Sequence, residues 1–232
     1  MLLLNETLWF ASMLINFALI LLAYKFWGKI GLFILITVST ILTKIQVIKK
    51  VDLFGLHGTM GDIVYCGVFL ISDILSENYG KKMAKNTISI GLFSLISTTL
   101  IMVLSLKMLP NQMDTSQNSL EQIFGFLPRI TLASLSAFLI SQTYDVWAYQ
   151  FWRKKFPDFK YIWIRNNFST LVSQFMDGII FTLIAFTGIF PFSYMVKLFI
   201  TSYILKTIVS IFDTPFVYLA AIMKNKNKIN EL

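Results

Sequence analysis

Seven apolar stretches, each about as long as a bilayer is thick, limit what this chain can fold into. They cover residues 8–24, 30–48, 60–75, 87–109, 130–151, 168–189 and 192–223. A helix needs about 20 predominantly apolar residues to cross the hydrocarbon core of a bilayer. Backbone polar groups must be satisfied internally there, and stretches of this length achieve that as helices. The sequence therefore predicts an all-α integral membrane protein with seven spans.

Composition favours a single membrane domain. Hydrophobic residues make up 56% of the 232 residues and the mean hydropathy is +0.69, which exceeds what a soluble core of this size could bury. The first stretch lacks a preceding basic segment and a following small-residue cleavage site, so it is typical of a retained span. The longest connection, 110–129, is predicted to be a partly ordered surface loop. No linker or tandem repeat divides residues 1–232.

The basic residues indicate topology rather than nucleic-acid binding. Twenty Lys and Arg against 12 Asp and Glu give a net charge of +8, but the basic residues are spread between the apolar stretches and form no stripe. With the N-terminus outside and the C-terminus in the cytoplasm, most of them fall in inside connections, as the positive-inside rule requires. Five basic residues fall outside, and the adjacent Lys49 and Lys50 among them are the weak point of this assignment.

Cysteine and histidine are too scarce for several classes of chemistry. Cys66 and His57 are the single residues of their types, which excludes an intramolecular disulfide and makes a metal site or a catalytic triad a poor interpretation. We expect no catalytic residue, metal ligand or cofactor. Paired acids could in principle perform acid-base chemistry, but the prediction is that the chain is not an enzyme.

The third apolar stretch carries two carboxylates near its inner end. Asp73 and Glu77 could lie at the membrane interface and pair with Lys81 and Lys82, whose long stems can snorkel. Alternatively, they form part of a site for a cation or an amidine. Steps of four, three, four and four residues place five side chains on one helical face: Asp62, Cys66, Phe69, Asp73 and Glu77.

The fifth stretch ends with Gln142 and Asp145, which we expect to point into the helix bundle. Asp145 could instead cap its helix against Arg153 or Lys154, and the pattern leaves both interpretations open. Small residues at intervals of four precede the pair and allow helices to approach closely: Ala133, Ala137 and Ser141.

In the sixth stretch a short basic connection runs straight into an apolar helix that contains a carboxylate, Asp177. On insertion scales, a carboxylate at the centre of a membrane helix costs about 2.5 to 3.5 kcal/mol, so Asp177 needs a partner, a proton or a water-filled cavity. No basic residue lies nearby on the same helix. Polar residues precede it: Asn167, Ser169, Ser173 and Gln174.

The last stretch carries Lys206 and Asp213, seven residues apart on one helical face, and Pro215 two residues beyond Asp213. Lys206 requires an anion and could pair with Asp177 or Asp213, which would make the group a structural ion-pair network. Otherwise these groups belong to a binding site, where a proline-broken helix would also free backbone carbonyls.

Together, buried carboxylates, carboxamides and one Lys suit a planar heterocycle that forms hydrogen bonds, and a purine-like ring is the natural candidate. A carboxylate can accept from a ring N–H and an exocyclic amino group together, while a carboxamide meets a carbonyl. A proton or sodium pathway would use the same acids, so the residue types alone leave substrate binding and ion coupling both open.

Three stretches resemble one family, the queuosine-precursor transporters, also called the vesicle uptake transporter family. They are residues 72–82 (SDILSENYGKK), 163–177 (WIRNNFSTLVSQFMD) and 202–215 (SYILKTIVSIFDTP), and the similarity extends over about 31–223. The resemblance implies a six-helix transporter core, 30–223, to which 8–24 adds an N-terminal span. Positions that match the family's motifs are implied to bind substrate or couple ions: Asp73, Glu77, Asn167, Ser169, Gln174, Asp177, Lys206 and Asp213.

The resemblance also implies a function. The family imports 7-cyano- or 7-aminomethyl-7-deazaguanine, precursors of the tRNA base queuosine, and the expectation is a multi-pass secondary carrier in the cytoplasmic membrane. The alternative is a substrate-binding subunit of an energy-coupling-factor importer, which would need an ATPase module as partner. Homo-oligomerisation is left open, and no nucleic acid is expected as a partner.

Overall fold

The computed structural model describes residues 2–125 and 128–231, which form a helical bundle with one small β-hairpin. The elements follow in this order: α1 (Leu2–Gln46), β1 (Lys50–Leu53), β2 (Leu56–Thr59), α2 (Gly61–Tyr79), α3 (Lys81–Leu106), α4 (Gln117–Phe124), α5 (Pro128–Lys155), a 3₁₀ turn (Phe159–Tyr161), α6 (Ile162–Phe186) and α7 (Phe192–Asn225). The predicted all-α class is confirmed apart from the hairpin. The predicted loop contains α4, and its residues 126 and 127 lie outside the described part.

The long helix α1 reverses direction at Gly28, whose φ of 55° and ψ of −138° are not helical. A Cβ built on Gly31 would lie 2.3 Å from the carbonyl oxygen of Ala23, although residues eight positions apart in a straight helix are about 12 Å apart. The chain therefore folds into two arms, 2–27 and 29–46. The backbone N–H of Phe54 donates to the carboxylate of Glu6 at 3.0 Å, so the start of α1 lies at the hairpin that follows its end.

Hydropathy supports a multi-pass membrane protein. Among the described residues, α1, α3, α6 with its preceding 3₁₀ turn and α7 are long and apolar enough to cross a membrane, and α4 with α5 would add a fifth span if the bent pair is one segment. The helix α2 is 19 residues long but contains three acids, Asp62, Asp73 and Glu77. Most of α2 is buried by its neighbours, so its acids lie against protein.

The basic connections gather at one end of the bundle. The N–H of Asn230 donates to the carbonyl of Lys25 at 3.0 Å, beside the turn of α1. The carboxylate of Glu231 accepts a hydrogen bond from the hydroxyl of Tyr79, where α2 gives way to α3. Arg165 ties the connection between α5 and α6 to the end of α2. This clustering agrees with the one-sided distribution that the sequence predicts.

The β-hairpin was not predicted from the sequence, because it lies between two apolar stretches and is only eight residues of strand. Its two-residue turn has positive φ at both Phe54 and Gly55, the conformation that matches the twist of paired strands. Leu53 is fully buried, and a Cβ on Gly58 would meet the side chain of Leu205 at 2.4 Å. The hairpin thus packs tightly against the middle of α7.

Close helix packing along α5 confirms the small-residue prediction. Ala133, Ala137 and Ser141 are all buried, and α5 packs mainly against α6. On the neighbouring α3, a Cβ on Gly91 would meet the ring of Phe138 at 2.4 Å. The missing side chain at Gly91 therefore makes room for this ring between α3 and α5, in keeping with the close packing that small residues allow inside a membrane.

Candidate functional site

One face of α6 places a row of polar side chains inside the bundle formed with α2, α5 and α7. Steps of three and four residues keep these positions on the same side of a helix, and each of them is buried. The row therefore faces the protein interior rather than lipid. Its members are Arg165, Asn166, Ser169, Thr170, Ser173, Gln174 and Asp177.

Three fully buried aspartates from three helices form a central acid layer: Asp73 of α2, Asp145 of α5 and Asp213 of α7. The hydroxyl of Thr170 donates to Oδ2 of Asp73 at 3.0 Å and lies 3.4 Å from Oδ1 of Asp145. Ser173 donates to the same Oδ1 at 3.0 Å. Within the described residues no Lys or Arg forms an ion pair with the acid layer.

Asp213 is held from α6 by a carboxamide. Nδ2 of Asn166 donates to Oδ1 of Asp213 at 2.6 Å and to the hydroxyl of Thr214 at 3.1 Å. The neighbouring Asn167, which matches the family motif, is only partly buried, and its Nδ2 bonds Thr214 and the carbonyl of Trp163. Asn166 rather than Asn167 therefore contacts the acid layer.

Several polar atoms around the acid layer have no hydrogen-bond partner in the described protein. One oxygen of each of the three aspartates is unpaired, and so is Oε1 of Gln174. Both amide atoms of the fully buried Gln142 are unpaired as well. A buried donor or acceptor without a partner costs about 1 to 3 kcal/mol. These groups therefore offer both donors and acceptors to a polar ligand.

An ion pair, here called the lysine layer, adjoins the acid layer along α6. Nζ of Lys206 lies 3.0 Å from Oδ2 of Asp177 and 4.8 Å from the ring centroid of Tyr65. The hydroxyl of Tyr65 donates to Oδ1 of Asp177 at 2.6 Å, and Ser141 lies 3.4 Å from the same oxygen. Both carboxylate oxygens of Asp177 are thus occupied. Lys206 takes Asp177, and not Asp213, as its anion.

The thiol of Cys66 lies between the lysine layer and Gln174. Nε2 of Gln174 donates to Sγ of Cys66 at 3.5 Å, and the thiol lies 3.9 Å from the carbonyl oxygen of Lys206. Cys66 is fully buried and unoxidised. It therefore marks the junction of α2, α6 and α7 beside the ion pair.

A second ion pair, the arginine layer, lies on the other side of the acid layer. NH2 of the fully buried Arg165 lies 2.9 Å from Oε1 of Glu77, and Tyr149 donates to Oε2 of Glu77 at 2.8 Å. NH1 of Arg165 also donates to the carbonyls of residues 156, 157 and 158 at 2.6 to 3.2 Å. The pair therefore fixes the connection between α5 and α6 onto α2.

These contacts correct two alternatives left open by the sequence. Glu77 pairs with Arg165 from a distant helix and not with Lys81 or Lys82, which lie on the surface side of the bundle end. Asp145 does not cap against Arg153 or Lys154: NH1 of Arg153 donates to the carbonyl of Ser76, and among the described residues neither base forms an ion pair with Asp145. Asp145 instead points into the bundle, where Ser173 bonds it.

The structure adds functional candidates that sequence reasoning had passed over. Arg165 belongs in the sequence to the short basic connection before the sixth apolar stretch, although it lies one helical turn before Ser169 on the same face of α6. Asn166 lies on that face too, so helical spacing could have identified both. Tyr65 carried a weaker signal, because a single tyrosine among apolar residues resembles an ordinary core residue.

Ser169, which the sequence did predict, is fully buried and donates to the carbonyl of Asn166.

Two clefts on the outside of the bundle are separate from these layers. One of about 780 Å³ lies between the end of α3 and α4, where Lys107 and Glu121 line it. The other, of about 340 Å³, lies between α1 and α3 and is lined by Thr37 and Ser94. Neither of these clefts includes a residue of the three layers, and the aspartates of the acid layer are fully buried between the helices.

Comparisons with known proteins agree with this picture. The model of a family described as "Putative vitamin uptake transporter" matches residues 59–220. Over 216 residues, the chain is 42% identical to a protein of Bacillus subtilis (strain 168) named "Probable queuosine precursor transporter", covering 93% of this chain and 94% of that protein. No solved structure matches. The family is therefore named for vitamin uptake and not for vesicle uptake.

Proposed function

We propose that this chain, which belongs to the vitamin uptake transporter family, imports queuosine precursors across the cytoplasmic membrane as a secondary carrier. The membership rests on the match over 59–220 and on the 42% identical relative, whose name supplies the substrate. The acid layer carries the proposal within this chain. Its carboxylates lie inside the bundle and beside unpaired carboxamides, as binding groups for a polar ring must.

Asp213 is the carboxylate that we assign to reading the 7-deazaguanine ring. A guanine-like edge presents a ring N–H and an exocyclic amino group, and one carboxylate can accept from both. Asp177 is a poorer candidate for this role, because both of its oxygens already contact protein donors. Asp213 keeps Oδ2 unpaired. The amide of Gln142 supplies the donor that the carbonyl of the ring requires.

The proposed topology has seven spans with the N-terminus outside. The two arms of α1, together with α2, α3, α5, α6 and α7, give seven helical segments. The shared basic end described above is assigned to the cytoplasm by the positive-inside rule. In this arrangement the lysine layer lies toward the outside and the arginine layer toward the cytoplasm. A substrate in the acid layer would pass one ion pair to enter and the other to leave.

A lone carrier is favoured over a substrate-binding subunit of an energy-coupling-factor importer. Such a subunit presents small residues to its partner, and the candidate stripe of α5 is Ala133, Ala137 and Ser141. All three are buried between the helices of this chain. The stripe is therefore used in packing α5 and offers no surface to an ATPase module.

The test is to express the chain alone in cells that cannot synthesise queuosine precursors, to supply 7-cyano-7-deazaguanine outside, and to measure queuosine in tRNA. We expect restoration by the wild type and by Asp114→Asn, a control acid in the exposed connection after α3. Asp213→Asn should not restore it. Failure of the wild type despite correct insertion would refute the proposal, whereas restoration only with an added ATPase module would support the importer subunit.

A further inference from the structure

Two acids of the acid layer, Asp73 and Asp145, meet at the hydroxyl of Thr170. Both are fully buried, and this hydroxyl lies 3.0 Å from Oδ2 of Asp73 and 3.4 Å from Oδ1 of Asp145. One oxygen of each has no protein partner among the described residues. The contact joins α2 to α5, two helices that are separated in sequence by α3 and α4.

The surroundings leave this pair without a compensating positive charge. Asp213 faces it from α7 as a third acid. Glu77 of α2 and Tyr149 of α5 bond each other, and Glu77 also bonds Arg165, so both belong to the arginine layer.

The two nearby bases are already engaged with other acids. Arg165 of α6 is bonded to Glu77, and Lys206 of α7 to Asp177. Two buried carboxylates this close together, without a cation beside them, share a proton rather than both being ionised.

A polar side chain that is independent of the acids points to a ligand at the same place. Gln142 is fully buried, and neither its Nε2 nor its Oε1 has a partner in the described protein. It lies three residues before Asp145, and therefore on the same face of α5 as Asp145 and Ser141, both of which contact the interior side of α6. A substrate bonded to Gln142 would adjoin the carboxyl pair.

We propose that Asp73 and Asp145 together bind the proton that drives uptake. This inference rests on the proposed carrier function and adds the coupling ion to it. The pair takes a proton when the acid layer opens to the outside, substrate binds beside it at Gln142 and Asp213, and the proton leaves when the layer opens to the cytoplasm. One proton enters with each substrate. A gradient of one pH unit would then support tenfold accumulation of the uncharged 7-cyano-7-deazaguanine.

The membrane potential drives the same step, because a neutral substrate with one proton carries one positive charge inward. Each 100 mV, negative inside, would support about 50-fold accumulation. Sodium in place of the proton would show the same dependence on potential but none on the pH gradient. The two gradients therefore separate the coupling ions.

The first experiment uses the full wild-type chain in proteoliposomes that contain a trapped pH dye. We expect external 7-cyano-7-deazaguanine to acidify the lumen by one proton per molecule imported, and a pH gradient, acid outside, to produce accumulation. Exchange of labelled substrate without acidification or pH-driven accumulation would overturn the coupling proposal and leave the carrier function standing. Absence of any exchange would overturn both.

The second experiment uses Asp145→Asn, which keeps the shape of the side chain and mimics its protonated form. We expect proton movement and accumulation to fall at least tenfold, and to fall by more than exchange at equal concentrations does. The matched control Asp114→Asn should retain all three. Retained exchange would also show that the variant folds. Accumulation and acidification at wild-type rates, or loss of exchange together with accumulation, would refute the assignment of the proton to Asp145.

Discussion

The ion-paired layers and the acid layer between them are built on the same four helices, yet they treat carboxylates in opposite ways. Glu77 and Asp177 each have a cation and a tyrosine hydroxyl within hydrogen-bond distance. Asp73, Asp145 and Asp213 have only hydroxyl or amide donors from the described residues. Burial alone therefore does not identify a structural acid. The partners of each acid distinguish it.

This difference separates stability from transport in the same bundle. Removing one member of a buried ion pair leaves an uncompensated charge and costs about 3 to 5 kcal/mol. Removing an acid that has no cation leaves no such charge and relieves repulsion between neighbours. We therefore expect substitutions in the paired layers to lower stability, and substitutions in the acid layer to lower uptake while the fold persists.

The largest effect on stability is expected at Arg165. Arg165→Met leaves Glu77 without its cation and three backbone carbonyls without a donor, so we expect a loss of about 3 to 5 kcal/mol. Lys82→Met is the control, since the sequence allowed Lys82 as the partner of Glu77, and it should change stability by less than about 0.5 kcal/mol. Thermal unfolding in detergent measures both. Equal effects would contradict the pairing of Glu77 with Arg165.

The next largest effect is expected in the lysine layer. Asp177→Asn and Lys206→Met should each destabilise by about 2 to 4 kcal/mol, and the double variant should recover at least 1 kcal/mol of their sum, since it leaves no lone charge. All three should lose uptake. A double-mutant cycle of unfolding measurements provides the coupling energy. A coupling energy near zero would show that the pair contributes no more than an exposed one.

Asp213→Asn tests the acid layer, where we expect a large loss of uptake with little loss of stability. Its amide oxygen can still accept from Asn166, so we expect stability within about 1 kcal/mol of wild type, and uptake at least tenfold lower because the ring N–H donors lose a charged acceptor. Initial uptake rates and unfolding in detergent are measured on the same preparation. Loss of stability comparable to that of Arg165→Met would erase the distinction between the layers.

The smallest effect is expected at an exposed ion pair, Glu231 with Lys224, at 2.5 Å. Burial raises the pKa of Glu231, but the hydrogen bonds from Lys224 and Tyr79 outweigh it, so the pKa lies below its usual value. The contact is therefore complete above the ordinary pKa of about 4.3 and is lost as pH falls through the lower folded value. Its contribution should not exceed about 1 kcal/mol.

Hydrogen exchange of residues 226–231 at pH 7 and at pH 3.5 measures this contribution. Each observed rate is compared with the intrinsic rate of an unprotected amide at the same pH, and the protection of the tail is expected to be lower at the lower pH, with that of α7 unchanged. Glu231→Gln should show the lower protection at both pH values. An effect as large as that of either buried pair would show that exposure does not weaken this contact.

The sequence predicted the helices well, because apolar stretches of bilayer length leave few alternatives. The cost of a carboxylate inside an apolar helix also indicated that Asp177 needs a partner, and it is buried beside Lys206. The cation that pairs with each acid was harder to predict. Glu77 and Arg165 are 88 residues apart, whereas Lys81 and Lys82 are neighbours in sequence. Which cation reaches an acid depends on how α2 and α6 pack, and local spacing does not contain that information.

The reversal of α1 and the hairpin after it show the same limit. The break was predicted between 24 and 30, and Gly28 lies within it. The strands were missed, because four-residue strands between polar and glycine residues resemble a loop. The hairpin is held in place by packing against α7, where Gly58 approaches Leu205. Contacts that are made only in the folded bundle are therefore what sequence patterns leave undetermined.

Cys66 can report chemically on the opening of the bundle. It is the single cysteine of the chain and lies buried against Gln174 and the backbone of Lys206, so a small maleimide can alkylate it only when the lysine layer separates. No background cysteine has to be removed first. The rate of alkylation in native membranes then counts how often the transporter opens, and bound substrate or a change of external pH can be read from the same thiol.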